Sequence, residues 1–206
     1  MKNASKIVYP IIIIFCMAVI ITLTSVFGCD KFGYTPLYSF LAVTIGTALE
    51  IVIDALVATV IVLLPKKFFN PRKGLYKVSK KELLFYDKIG IKKWKDYVFS
   101  EIGFNKKKVA NPSNNEYIGA FLTETCVAET MHVISVFAGF LLVFIFPLPY
   151  ATSFPIPIAI VNLFLQIPPV FIQRYNRPRL ISLFDWNERI SKRKPKDKPQ
   201  NERVSA

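Results

Sequence analysis

Hydrophobic positions along the chain fall into long unbroken runs separated by polar, basic stretches. Residues 7–28 carry no charge, nor do residues 147–173. Residues 38–64 carry only Glu50 and Asp54, and residues 131–146 only a single histidine. Runs of about 20 apolar residues are long enough to cross a bilayer as helices, and lipid offers the backbone no other partner for its N–H and C=O groups. The pattern predicts an all-α integral membrane protein with spans at about 7–28, 38–64, 118–146 and 156–173. Residues 1–190 read as one polytopic membrane domain and 191–206 as a disordered basic tail.

Between the second and third spans lies a segment of about fifty residues (65–117), too long for a simple connector. Its runs KKELLFYDKIG and IKKWKDYVFSEIGF interleave aromatic and aliphatic residues with lysines. They predict one or two amphipathic helices on the inner leaflet with Phe85, Trp94 and Tyr97 facing inward, or a small lobe packed under the spans. Pro168-Pro169 is expected to kink or break the last span just before Arg174. Arg174-Tyr175-Asn176-Arg177-Pro178-Arg179 then reads as a stiff turn at the membrane exit. The first span follows a basic start, yet its apolar segment is longer than a secretory signal core, so a retained helix is expected.

Composition adds orientation. Of 206 residues, 52% are apolar and 27 are Lys or Arg, giving a net charge of +13. Fourteen basic residues lie in the 65–117 loop, ten from Arg174 onward and two before the first span; only Lys31 lies on the other side. Under the positive-inside rule both termini and the loop are cytoplasmic in a multi-pass protein of the cell membrane. The charge is thereby explained by orientation and anionic headgroups, with no nucleic-acid partner. The three cysteines have neither metal spacing nor the look of a disulfide framework.

Candidate chemistry concentrates at the cytoplasmic start of the third span, AFLTETCVAETMHVIS. At about 100° per residue, His132 projects between Glu129 and Glu124, and Thr125, Ala128 and Ser135 share its face. A carboxylate three residues from an imidazole can fix its tautomer and raise its basicity, as a general base requires. Such groups also serve as interhelical hydrogen-bonding glue, although ionisable side chains in spans are costly enough to want a reason. Glu129-x-x-His132 matches one half of a carboxylate-bridged metal site, but the chain has no second histidine, and no metal or cofactor is expected. Glu50 and Asp54 lie one turn apart in the second span. They can pair with the arginines, with the His132 face, or across helices while protonated. Arg174, Arg177 and Arg179 suit bidentate binding of phosphate or carboxylate, Tyr175 and Asn176 add neutral hydrogen bonds, and the same stretch also suits a positive-inside anchor.

The pairing of Glu124-Thr125-x-x-Ala128-Glu129-x-x-His132-x-Ile134-Ser135 with Gln173-Arg174-Tyr175-Asn176-Arg177-Pro178-Arg179-Leu180 resembles the glycosyl-4,4'-diaponeurosporenoate acyltransferase family. Lys93-Trp94-Lys95 resembles it more loosely, and the similarity spans about residues 89–183. The resemblance implies a small bacterial membrane enzyme of carotenoid biosynthesis that esterifies the sugar of a glycosylated carotenoid acid with a fatty acyl group. Its partners are then membrane lipids, an activated thioester donor (coenzyme A or carrier-bound) and the glycosylated acceptor. The residues themselves, rather than the resemblance, suggest the roles: His132 is expected to deprotonate the acceptor hydroxyl, Glu129 to orient the imidazole, and Glu124 to bind acceptor hydroxyls or hold Arg177. Arg174, Arg177 and Arg179, with Tyr175 and Asn176, are expected to bind the donor's phosphates or the oxyanion. A non-catalytic lipid- or pigment-binding accessory protein is the alternative reading.

Overall fold

A computed structural model describes residues 4–95, 98, 109–146 and 153–193. Among these it is all-helical: α1 (Ala4–Phe32), α2 (Pro36–Leu63), α3 (Lys80–Lys88), α4 (Ile91–Trp94), α5 (Asn115–Gly139), α6 (Leu142–Ile145) and α7 (Pro155–Arg193). Four of the apolar segments are long enough to cross a membrane: Pro10–Gly28, Pro36–Leu63, Asn115–Ile145 and Pro155–Arg193. The chain is a multi-pass membrane protein. Large apolar side chains such as Ile14, Leu63 and Phe144 stay exposed on these helices because their neighbour is hydrocarbon rather than water.

The helix starts follow from their caps. Thr35 accepts from the Tyr38 amide ahead of α2, with Pro36 in the first turn, and Asn114 accepts from the Tyr117 amide ahead of α5. Ser79 caps α3 through the Glu82 amide. Gly90, at φ 68°, takes the left-handed conformation that turns α3 into α4.

The most extensive helix pair is α5 with α7, and α2 packs on both while α1 lies against α2. Between hydrocarbon-solvated helices, close packing and polar contacts replace the hydrophobic drive. Gly46 illustrates the close packing, because a Cβ there would press on the Ile158 side chain. On the basic side, α3 and α4 form a lobe whose Tyr86 and Ile91 pack with Ile172 and Tyr175 of α7. These helices of the segment thus contact α7 directly. Phe85 is half-exposed with an edge-on contact to Phe171, Tyr86 takes the buried position, and Trp94 donates its indole N–H to the Ile89 carbonyl. Tyr97 lies outside the described residues, as do residues 194–206 of the expected tail, whereas residues 191–193, expected to be disordered, are the last residues of α7.

One expectation is corrected. α7 runs unbroken from Pro155 to Arg193 through Pro168, Pro169 and Pro178, so the Arg174–Arg179 stretch is helix and not a turn. Each proline removes one hydrogen bond to the residue four before it. Neighbouring helices tolerate that loss in a packed membrane helix, and α5 lies along α7. Pro169 is itself buried in the packing.

Candidate functional site

Helical spacing makes α5 and α7 a polar seam. Thr125, Glu129, His132 and Ser135 occupy a sector of about 120° on α5, and Asn162, Gln166, Arg174 and Arg177 a similar sector on α7. The seam divides into two clusters.

The first, at the basic end, is built on two arginines. Arg177 is fully buried. Its Nε donates to Thr125 Oγ1 (3.0 Å), Nη2 to the Thr125 carbonyl (2.9 Å) and Nη1 to the Tyr76 carbonyl (2.9 Å), while the guanidinium lies over the Tyr76 ring. Nη2 is also 2.6 Å from Glu129 Oε2, although no aligned hydrogen bond reaches that oxygen, so this contact is an ion pair and no more. Arg174 donates to Glu129 Oε1 (2.5 Å), to both Glu82 oxygens and to the Leu75 carbonyl (2.8 Å). Tyr86 Oη donates to Glu82 Oε1 at 2.5 Å. Burial pulls the Glu82 carboxyl up, yet hydrogen bonds from Arg174 and Tyr86 outweigh it and hold the group below its ordinary range. The Tyr86 hydroxyl is pushed up by burial and by its bond to Glu82. Two cations and two carboxylates thus make a neutral clasp joining α5, α7 and the lobe. A second clasp, Arg72 with Asp185, is more exposed.

The second cluster lies deeper, where α2 meets the seam. Gln166 is its hub. Its Oε1 is 2.5 Å from His132 Nδ1, and its Nε2 donates to Asp54 Oδ2 (2.7 Å) and Asn162 Oδ1 (3.0 Å). Asn162 Nδ2 donates to Glu50 Oε1 and to the Ser135 carbonyl (3.2 Å). Because the amide N–H groups are committed to carboxyl and carbonyl oxygens, Gln166 presents oxygen to the ring. His132 Nδ1 therefore carries a hydrogen, so the neutral ring is the tautomer whose lone pair is on Nε2. Gly139 allows the approach, since a Cβ there would collide with the Glu50 carboxyl and the Asn162 amide. Glu50 Oε2 and Asp54 Oδ1 are buried without a hydrogen-bond partner among the described residues. Leaving such a group unpaired costs about 1–3 kcal/mol.

The residues expected at the site are thus distributed over two places. Glu129, expected to orient the imidazole, has its carboxylate between Arg174 and Arg177, because two guanidinium groups offer stronger, charge-assisted bonds than one ring nitrogen. Arg177 is held by Thr125 and Tyr76, not by Glu124, which is half-buried and forms no hydrogen bond or ion pair among the described residues. Arg179 is exposed and stacks on Tyr175, whose hydroxyl it reaches at 2.6 Å. Asn176 is half-buried and makes no hydrogen bond among the described residues. Glu50 and Asp54 pair across helices with the His132 side of the bundle. Sequence reasoning missed Asn162 and Gln166, although two amides one turn apart in an apolar run repeat the Glu50/Asp54 spacing. Glu82 gave no comparable signal, being one acid in a lysine-rich run.

The family model for glycosyl-4,4'-diaponeurosporenoate acyltransferase matches residues 65–186, more than half of the chain and wider than the motifs alone. No curated protein and no solved structure matches.

Proposed function

Because the chain belongs to the glycosyl-4,4'-diaponeurosporenoate acyltransferase family, and is an acyltransferase acting on a glycosylated carotenoid acid, we propose how its residues carry the transfer. The donor is a fatty acyl thioester. A sugar hydroxyl attacks the thioester carbonyl carbon, and His132 Nε2 takes the hydroxyl proton as the new C–O bond forms. The C–S bond then breaks, and the imidazolium returns the proton to the departing thiolate. The observation that carries this reading is the contact of Gln166 Oε1 with His132 Nδ1, which selects the neutral tautomer whose lone pair is on the opposite nitrogen.

Asp54 anchors the Gln166 amide, and so does for the ring what Glu129 was expected to do. Glu129, with Arg174 and Arg177, fixes the turn of α5 that bears His132 against α7 and the lobe. Glu124 accepts a hydrogen bond from the acceptor's hydroxyls. Arg179 and Asn176 meet the donor's phosphates at the membrane surface, with the buried Tyr175 holding the Arg179 guanidinium from beneath, and that surface is cytoplasmic with both termini. The crowding of 26 of the 27 basic residues on that side supports this orientation.

The test is His132→Gln, assayed for acylated glycosyl carotenoid in membranes containing equal amounts of folded protein. Product formation falls by about 10²–10⁴-fold, the contribution of a positioned base. Undiminished product removes His132 from the mechanism.

A further inference from the structure

A cavity of about 220 Å³ lies between α1, α2 and α7. Most of its wall is aliphatic, with Met17, Ile51 and Leu165 among the lining residues, but one part is polar, made by Glu50, Asp54, Asn162 and Gln166. These are the groups of the deep cluster, which therefore has two sides. Gln166 and Asn162 reach α5 through His132 and the Ser135 carbonyl, and both also line the cavity. Glu50 is only 5% exposed. Each acid gives one oxygen to an amide, and the second oxygens, Glu50 Oε2 and Asp54 Oδ1, form no aligned hydrogen bond among the described residues, although Asp54 also lies beside Ser135.

We infer that this cavity is a binding site for a hydroxyl group carried on a long apolar chain, with the hydroxyl seated between Glu50 and Asp54 and the chain along α1 and α7. A hydroxyl donates to one carboxyl oxygen and accepts from the other when that one is protonated, so it satisfies both oxygens when the pair holds a single proton. A bare divalent cation is a poorer match. Such ions take about six or more oxygens, whereas Gln166 Oε1 and Asn162 Oδ1 are already committed, leaving two carboxyl oxygens. The aliphatic remainder suits a hydrocarbon chain and not a column of water. The inference deepens the acyl-transfer reading, since the glycosylated acceptor is a molecule of this kind, with its sugar at the wall that orients His132.

The experiment measures binding without donor or turnover, so its failure leaves the acyl-transfer reading to its own assay. The full chain in phosphatidylcholine nanodiscs, whose headgroups lack a hydroxyl, is irradiated with dodecyl glucoside bearing a mid-chain diazirine. Adducts are expected on α1 peptides containing Met17 and on α7 peptides containing Leu165. Unlabelled dodecyl glucoside should suppress them, and dodecyl methyl ether, which has no hydroxyl, should compete about tenfold more weakly. Suppression by dioleoylglycerol equal to that by the glucoside assigns the occupant to membrane lipid, and suppression by the glucoside alone assigns it to the acceptor. Asp54→Leu should lower labelling about tenfold. The inference is overturned if adducts fall elsewhere or nowhere, or if the ether competes as well as the glucoside. The competitor series in the unaltered chain decides even if Asp54→Leu does not fold.

Discussion

Replacing Arg177 by methionine tests whether the basic-side clasp is one electrostatic unit. Methionine keeps an unbranched stem of similar reach and removes the charge and all donors. In the native cluster Arg174 and Arg177 face Glu82 and Glu129, two charges against two. After Arg177→Met one guanidinium faces two carboxylates, and Glu129, 8% exposed, keeps only its bond to Arg174. Breaking a buried pair from one side costs about 3–5 kcal/mol. For a chain of this length that is a fall in unfolding temperature of about 6–20 °C. Adding Glu129→Gln leaves Arg174 with Glu82, one against one. The double variant should therefore be more stable than Arg177→Met alone, with a coupling of about 1–3 kcal/mol. Cys126 is fully buried beside Thr125, so its reaction with a thiol dye during heating, in a Cys16→Ser, Cys29→Ser background, reports the loss of this packing. A double variant as unstable as the sum of the two singles would mean that the charges do not act together, and the argument for a clasp would fail.

Three further outcomes follow. Glu82 has its folded value lowered from the ordinary 4.5. Its stabilising contribution is thus complete above the unfolded value and is lost as pH falls through the folded one; Glu82→Gln should flatten that acid limb in unfolding curves measured against pH. Gly139→Ala should cost about 1–3 kcal/mol through overpacking against Glu50 and Asn162, whereas Gly46→Ala should cost less because the flexible end of Ile158 can yield; thermal unfolding of the pair reads the difference. Arg72→Ala breaks an ion pair whose side chains are 46% and 32% exposed, so it should change stability by no more than about 1 kcal/mol by the same measurement.

The spans were legible because the demand of lipid on the backbone is local and one-dimensional: charge-free runs of sufficient length become helices wherever they pack. The continuity of α7 was not legible. Pro168, Pro169 and Pro178 carry a strong local signal for breaking a helix, and the packing against α5 that overrides it is tertiary. The arginines were legible as a cluster but not in their use, since nothing near Arg174 in sequence announces Glu82, 92 residues earlier. The same holds for Glu50 and Asp54. Their one-turn spacing identified a face of α2, and only the fold shows that Asn162 and Gln166 stand opposite.

That sequence separation has a consequence for how the molecule is made. At about 5–20 residues per second, Glu82 leaves the ribosome about 5–18 s before Arg174, and Glu129, 45 residues before Arg174, about 2–9 s before it. Both carboxylates are synthesised first, and both counter-charges arrive later, within four residues of one another on the last long helix. The clasp can close only in a single late event, the docking of α7. A nascent or truncated chain ending short of Arg174 holds Glu129 at the membrane without its cations, so whether that carboxylate can settle there reports whether the chain has been finished.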